Sequence, residues 1–95
     1  MWSVYMIRCG DNSLYTGISN DVPKRFEIHR SGNAQAAKYT RARHPLQLVF
    51  VAEVGDKSAA SVAEYRLKKL SKRSKELLVA GKTSLYSLGI VEANS

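Results

Sequence analysis

The sequence predicts an α+β domain of α/β-layered type, a small three-stranded antiparallel sheet flanked by helices. Three observations carry that expectation. Two runs rich in β-branched and aromatic residues, roughly 2 to 8 and 14 to 19, straddle Cys9-Gly10-Asp11-Asn12-Ser13, a segment of turn-forming composition. A third such run extends from Gln47 to Val54 and is dense in Leu, Val and Phe. From Lys57 onward the apolar period changes to that of a helix, with Ala59, Ala60, Ala63, Leu67 and Leu70 on one stripe. The element order β-β-α-(α)-β-α-α then leaves one sheet to be covered by helices.

Each element has a local cause. The first two runs pair as a hairpin; with the turn centred near Asp11, Tyr5 and Tyr15 fall on one face, because side chains alternate and the two are ten residues apart. Asn20 and Asp21 offer cap oxygens, Pro23 suits a first helical turn and Gly32 a helix end, so a helix is expected near 22 to 31, followed by a Ser31-Gly32-Asn33 loop. A short helix is expected from Ala34 to Tyr39. Pro45 disfavours helix at the residue before it and so separates this segment from the third strand. Gly55 and Asp56 open the long helix; Ser71 caps a further one through Leu77-Leu78-Val79, which Gly81 ends. From Lys82 to Ser95 the apolar pattern is weak, and the tail has two readings, a docked final turn or a frayed end.

Ninety-five residues are expected to form a single domain over 1–95, with about 82–95 as a loosely docked tail. No apolar run approaches the roughly 18 residues of a membrane span, so no membrane association is expected. The chain opens on strand-like Trp2-Ser3-Val4-Tyr5 without a charged segment and long apolar stretch ahead of it, which makes a cytoplasmic location the expectation. Cys9 is the single cysteine and His29 and His44 the two histidines, a set too small for a disulfide or a zinc framework. Fifteen Lys and Arg against eight Asp and Glu give a net charge of +7. The excess is concentrated: six basic residues and no acidic one lie between Arg66 and Lys75. A surface of that kind attracts polyanions, nucleic acid first among them, and equally serves as a plain solvated helix face.

Polar groups of catalytic type stand where a core is needed. Tyr5 and Tyr15 lie on the hairpin, and Arg25 and His29, four residues apart, stack on the helix face that also carries Val22 and Phe26. Glu64 lies beside Ala60 and Leu67 at the margin of the apolar stripe, where a carboxylate is partly desolvated unless a cation meets it. Taken singly, each has an ordinary explanation: strand tyrosines with satisfied hydroxyls, an arginine stem covering Phe26, an edge histidine, an i,i+4 bridge from Glu64 to Lys68. Five such coincidences are harder to accept than one site. Lys38, Arg41, Arg43, Lys68, Lys69, Lys72 and Arg73 are the candidate phosphate-tracking residues, contacts that bind without reading sequence. Tyr39, between Lys38 and Arg41, is either a stacking platform for bases or a loop anchor.

The motifs Ser3-Val4-Tyr5 and Tyr15-Thr16-Gly17, followed by Arg25, His29 and Glu64 in that order, resemble the GIY-YIG nuclease superfamily. The runs Val54-Gly55-Asp56-Lys57-Ser58 and Glu64-Tyr65-Arg66-Leu67-Lys68-Lys69-Leu70 are similar to its small stand-alone bacterial branch, called YhbQ-like, over essentially the whole chain. The resemblance implies the fold already read from the elements, in its GIY-YIG endonuclease-like form. It also implies a divalent-metal-dependent nuclease hydrolysing phosphodiester bonds, DNA more than RNA, in repair or processing of damaged, branched or single-stranded forms. On that resemblance Glu64 holds one Mg²⁺ or Mn²⁺ ion, a hard cation suited to an oxygen ligand and several waters. Arg25 pairs with the scissile phosphate. Tyr5 and Tyr15 border the attacking water, one phenol relaying or accepting its proton with His29 hydrogen-bonded nearby. Gly17 allows close approach of the backbone to substrate, and Ser19 hydrogen-bonds near the site. Two departures stand out: Ser3 replaces the first glycine, and no asparagine follows Glu64 until Asn94, so either Lys68, Lys69, Lys72 or Lys75 takes its place as a phosphate contact or the site is less complete than in other relatives. The alternatives are a non-catalytic nucleic-acid-binding module and a catalytic subunit that takes its specificity from a protein partner.

Overall fold

The structure, a computed structural model, describes residues 1–32 and 35–92. Its elements are β1 (Trp2–Arg8), β2 (Leu14–Ser19), α1 (Val22–Ser31), α2 (Lys38–Arg41), β3 (Gln47–Gly55), α3 (Lys57–Lys68) and α4 (Lys72–Val79). The three strands form one antiparallel sheet in the order β2-β1-β3. The layered α+β expectation is therefore met, and the strand bounds read from the sequence agree within a residue. The short second helix is displaced, starting at Lys38 rather than Ala34; Ala34 and Asn33 lie outside the described residues.

The local signals do what their chemistry allows. In the hairpin turn the Cys9 N–H bonds to the Ser13 carbonyl at 2.9 Å, and Asn12 adopts φ of 69°, a left-handed conformation that Asn tolerates. A side chain on Gly10 would collide with the His44 carbonyl and the Pro45 ring, so the bare glycine is what lets the turn press on the loop before β3. Asp21 caps α1 by accepting from the Lys24 N–H, and Gly32 closes it in the left-handed region. Asp56 caps α3 through the Ala59 N–H at 2.8 Å, and Ser71 caps α4 through the Ser74 N–H at 3.1 Å.

Register fixes the two faces of the sheet. In the β1–β2 pair Tyr5 lies opposite Gly17 and Ile7 opposite Tyr15, so Ser3, Tyr5, Ile7, Tyr15, Gly17 and Ser19 share a face, as a turn centred on Asp11 requires. The opposite face turns Val4 and Met6 into the apolar core with Ala63 and Leu67 of α3, Leu78 of α4, and Leu85 and Ile90 beyond it. The segment after Lys82 is thus docked through Leu85 and Ile90, while residues 93–95 lie outside the described residues. Ala59, expected on the buried stripe, faces solvent, because the stripe runs through Ala60, Ala63 and Leu67. A two-pronged ion pair from Arg8 to Glu76, at 2.8 and 2.6 Å, ties the end of β1 to α4. Among the described residues no helix is long and apolar enough to cross a membrane.

Burial separates neighbours on α3 sharply: Leu67 is fully buried and Tyr65 is 62% exposed. Leu67→Ala should lower unfolding stability by about 3 kcal/mol, through lost transfer energy and the cavity left behind. Tyr65→Ala, which forfeits only an exposed contact with Lys69, should cost under about 1 kcal/mol. Urea titration of the two variants checks the placement of this helix; equal losses would mean that a different face is buried.

Candidate active site

On the face away from the apolar core, α1 and α2 cover the hairpin with polar groups. His29 is 0% exposed and lies between two hydroxyls: Nε2 is 2.9 Å from the Tyr5 hydroxyl and Nδ1 is 2.9 Å from Thr40 Oγ1. Thr40 is also wholly buried and Tyr5 is 2% exposed. The Tyr15 ring meets the His29 ring edge to face, with centroids 5.3 Å apart, and the Tyr5 ring does so at 5.9 Å. One helical turn before His29, Arg25 is half-buried and donates from Nη1 to the Gln35 carbonyl at 2.9 Å, which draws its stem along the surface of the site.

The electrostatics show that these groups form one unit. Burial pushes the Tyr5 phenol up to about 12, helped by the neighbouring Tyr15 and by Glu64, while hydrogen bonding and charge from Arg25 pull the other way. Tyr15 is raised for the same leading reason, burial, with Arg25 opposing and Glu64 reinforcing. Burial lowers His29 to about 4, and the Arg25 charge adds to that. The Arg25 charge bears on all three rings and the Glu64 charge on both phenols, with opposite signs. The five residues singled out in the sequence come together here.

Other expected site residues are placed less directly. A Cβ on Gly17 would lie 2.5 Å from the Tyr5 hydroxyl, so what this glycine accommodates within the protein is the Tyr5 phenol. Ser19 is buried and its hydroxyl accepts from the Asp21 N–H at 2.9 Å, where it shapes the entry to α1. Tyr39 has the Arg43 guanidinium 3.7 Å above its ring and Tyr15 at 5.9 Å, while Arg43 also bonds to Asp11 at 3.1 Å. That geometry favours the anchor over the platform, since one ring face is already taken. Lys38 and Arg41 are exposed on α2.

Of the strip on α3 and α4, Lys68 pairs with Glu64 at 3.6 Å and Lys69 lies 4.4 Å from the Tyr65 ring. Lys72 donates to the Asn12 carbonyl at 2.6 Å, and Arg73 is exposed. Asn94 lies outside the described residues. The residue that sequence reasoning missed is Thr40. Its place beside Tyr39 gave no signal, because only the fold brings α2 over the imidazole.

Comparison with known proteins follows this geometry. The model of the GIY-YIG catalytic domain matches residues 1–77, a span that holds both tyrosines, Arg25, His29 and Glu64. The chain belongs to the GIY-YIG family. A UPF0213 protein of Klebsiella pneumoniae is 51% identical over 87 residues, which cover 92% of this chain and 80% of that protein. The UPF0213 protein YhbQ of Escherichia coli K12 is 54% identical over 79 residues, 83% of this chain and 77% of its own. Among solved structures, the solution NMR structure of a UPF0213 protein from Bacillus halodurans aligns with a TM-score of 0.53 at 42% identity, covering 94% of each chain. The GIY-YIG family is a nuclease family, and the chain is similar throughout to its bacterial UPF0213 members.

Among the described residues no group of three or more His, Cys, Asp or Glu side chains gathers into a cation cage. What the site offers a hard cation is the single, partly buried Glu64 carboxylate. That donor fits an ion that keeps several waters and takes further oxygens from a bound phosphate. The ion pair with Lys68 is of the exposed i,i+4 kind, worth about 0.3–0.5 kcal/mol, too little to bar a divalent ion from the carboxylate.

The buried imidazole makes a pH prediction with a definite sign. Its folded pKa of about 4 lies below the ordinary value of 6.5, so between them the unfolded chain holds more protons. This contribution to stability is complete above about pH 6.5 and is lost as pH falls toward about 4, up to roughly 3 kcal/mol in all. In urea titrations near pH 7 and near pH 5, His29→Gln should lose less stability on acidification than wild type. Parallel losses would mean that His29 is not the group being titrated.

Proposed function

We propose that this protein is a divalent-cation-dependent nuclease that hydrolyses phosphodiester bonds in DNA, acting in repair or processing of damaged, branched or single-stranded forms. The observation that carries the reading is the gathering of both tyrosines on His29, with Arg25 one turn away on the same helix. A phosphodiester needs a cation fork on its non-bridging oxygens, an oriented water and a stabilised leaving oxygen. Arg25 supplies the fork, two parallel donors that match two phosphate oxygens. Tyr15, half-buried, is the phenol that meets the solvent side and holds the water. Tyr5, buried beneath it, supports Arg25 from below. Glu64 would hold Mg²⁺ or Mn²⁺, which supplies neutralisation of phosphate charge and a lowered pKa for bound water.

Substrate preference follows from the charge distribution. The cations of α2, α3 and α4 are exposed and carry no base-reading geometry, which supports binding by backbone charge and by the shape of the nucleic acid. A domain that binds in this way discriminates by substrate structure or through a protein partner.

Two experiments test the reading. On a panel of duplex, single-stranded, flap, junction and RNA substrates with Mg²⁺ or Mn²⁺, wild type should cleave and Glu64→Gln should bind without cleaving. Arg25→Lys, which keeps the charge and loses the fork, should slow cleavage by about 100-fold or more. Cleavage unchanged in both variants removes this site from the chemistry, and binding without cleavage in wild type favours a non-catalytic module.

The basic strip has its own measurement. Affinity for duplex DNA should fall steeply with salt, with a log-log slope near −0.9 per phosphate neutralised. Replacing Lys68, Lys69 and Lys72 together by Gln should reduce the slope by about one unit for each true contact. Identical slopes would mark the strip as an ordinary solvated face.

A further inference from the structure

The distances around His29, together with what each group can donate, point to one direction for its hydrogen bonds. Thr40 Oγ1 is 3.0 Å from the Ala37 carbonyl and 2.9 Å from His29 Nδ1. A threonine hydroxyl has one proton, and a carbonyl oxygen has none to give. If that proton pointed at the imidazole, Thr40 Oγ1 would lie 3.0 Å from the Ala37 oxygen, which also accepts from the Arg41 N–H, with no proton between the two oxygens. The proton therefore lies toward Ala37, and the Thr40 oxygen accepts from His29 Nδ1–H. The neutral ring then has a lone pair at Nε2, and the Tyr5 hydroxyl, 2.9 Å away, donates to it. With its own proton committed to His29, the Tyr5 oxygen is left an acceptor, and the Arg25 charge nearby opposes the rise that burial causes in that phenol. The chain runs one way, from Tyr5 through His29 and Thr40 to the Ala37 carbonyl, and hydrogen bonds aligned head to tail reinforce one another.

We propose that Thr40 is a positioning residue that fixes His29 as its Nδ1–H tautomer and so leaves the Tyr5 oxygen an acceptor toward the catalytic face. The catalytic role of that face rests on the nuclease reading above; the tautomer does not. The geometry explains why α2, a four-residue helix with no side-chain cap, sits over the imidazole with Thr40 wholly buried. Reversing the tautomer would put an N–H against Tyr5 and turn the phenol proton away from the imidazole.

The deciding experiment is ¹⁵N NMR of the His29 ring at neutral pH in wild type, Thr40→Val and Thr40→Ser. Wild type should show a protonated Nδ1 and a bare Nε2. Thr40→Val keeps the shape of the side chain but removes the acceptor, so the Nε2–H form should appear; Thr40→Ser should restore the wild-type pattern. In cleavage assays Thr40→Val should lower kcat by roughly 10-fold to 100-fold with little change in KM, the scale of a mis-set donor or acid–base group, and Thr40→Ser should recover most of it. A protonated Nε2 in wild type, or an unchanged Nδ1–H form in Thr40→Val, overturns the proposal. An absence of cleavage in wild type counts against the nuclease reading instead, and the ring spectra still decide the tautomer.

Discussion

The hydrogen bond between Tyr5 and His29 is the constraint around which the polar half of the molecule is arranged. Both groups are out of water, and a buried donor or acceptor left unpaired costs about 1–3 kcal/mol. Satisfying them requires α1 to cross the hairpin at one register, with His29 over the central strand. Residue 17 must then have no side chain, because the phenol lies across it. Arg25, one turn earlier on the same helix face, is carried over both tyrosines. The second imidazole nitrogen needs Thr40, and Thr40 brings with it Tyr39, which packs on Tyr15. From there Arg43 stacks on Tyr39 and bonds to Asp11, returning to the hairpin turn. Each link is modest, but together they close a ring from β1 through α1 and α2 back to the hairpin.

The sheet divides labour between its faces. Val4 and Met6 join Ala63, Leu67, Leu78, Leu85 and Ile90 in an apolar cluster, with the buried Thr16 opposite Met6, and that face supplies much of the hydrophobic stabilisation of the domain. The other face can therefore bury a tyrosine, a histidine and a threonine in a satisfied network. Glu64 belongs to neither layer. It flanks the apolar stripe of α3 and still acts on both phenols, which places a carboxylate at the rim of the site without burying it in the core.

The fold was legible because its signals are local: Asp21, Pro23 and Gly32 delimit α1, Asp56 and Ser71 cap α3 and α4, and a turn centred on Asp11 puts Tyr5 and Tyr15 on one face. The membership of the site was legible too, since residues ten apart on a hairpin and four apart on a helix have fixed relations. Thr40 was not, because its role depends on α2 folding back over α1 through a loop with no periodic pattern. Gly17 and Ser19 illustrate a different gap. Their positions near the site followed from the motif, but that Gly17 makes room for a phenol and Ser19 accepts from the Asp21 N–H depends on the tertiary arrangement. The tail posed the same difficulty: Leu85 and Ile90 are too sparse to announce a docked segment, and only the open end of the core shows where they go.

The energetics also separate the two tyrosines, which the sequence leaves equivalent. Burial raises the Tyr5 phenol and lowers the His29 imidazole, so moving the Tyr5 proton to His29 is uphill in the resting site. A pair so mismatched is an alignment device: it holds a neutral phenol and a neutral imidazole in one orientation and resists ionisation. Tyr15 has no such partner pinning its hydroxyl within the described network and is less buried, so positive charge brought to the rim of the site reaches it more readily. On the nuclease reading, the buried phenol supports the guanidinium and the rim phenol meets water. Burial keeps Tyr5 un-ionised, and its hydrogen bond to His29 holds the phenol in one orientation beneath the polar face of the sheet.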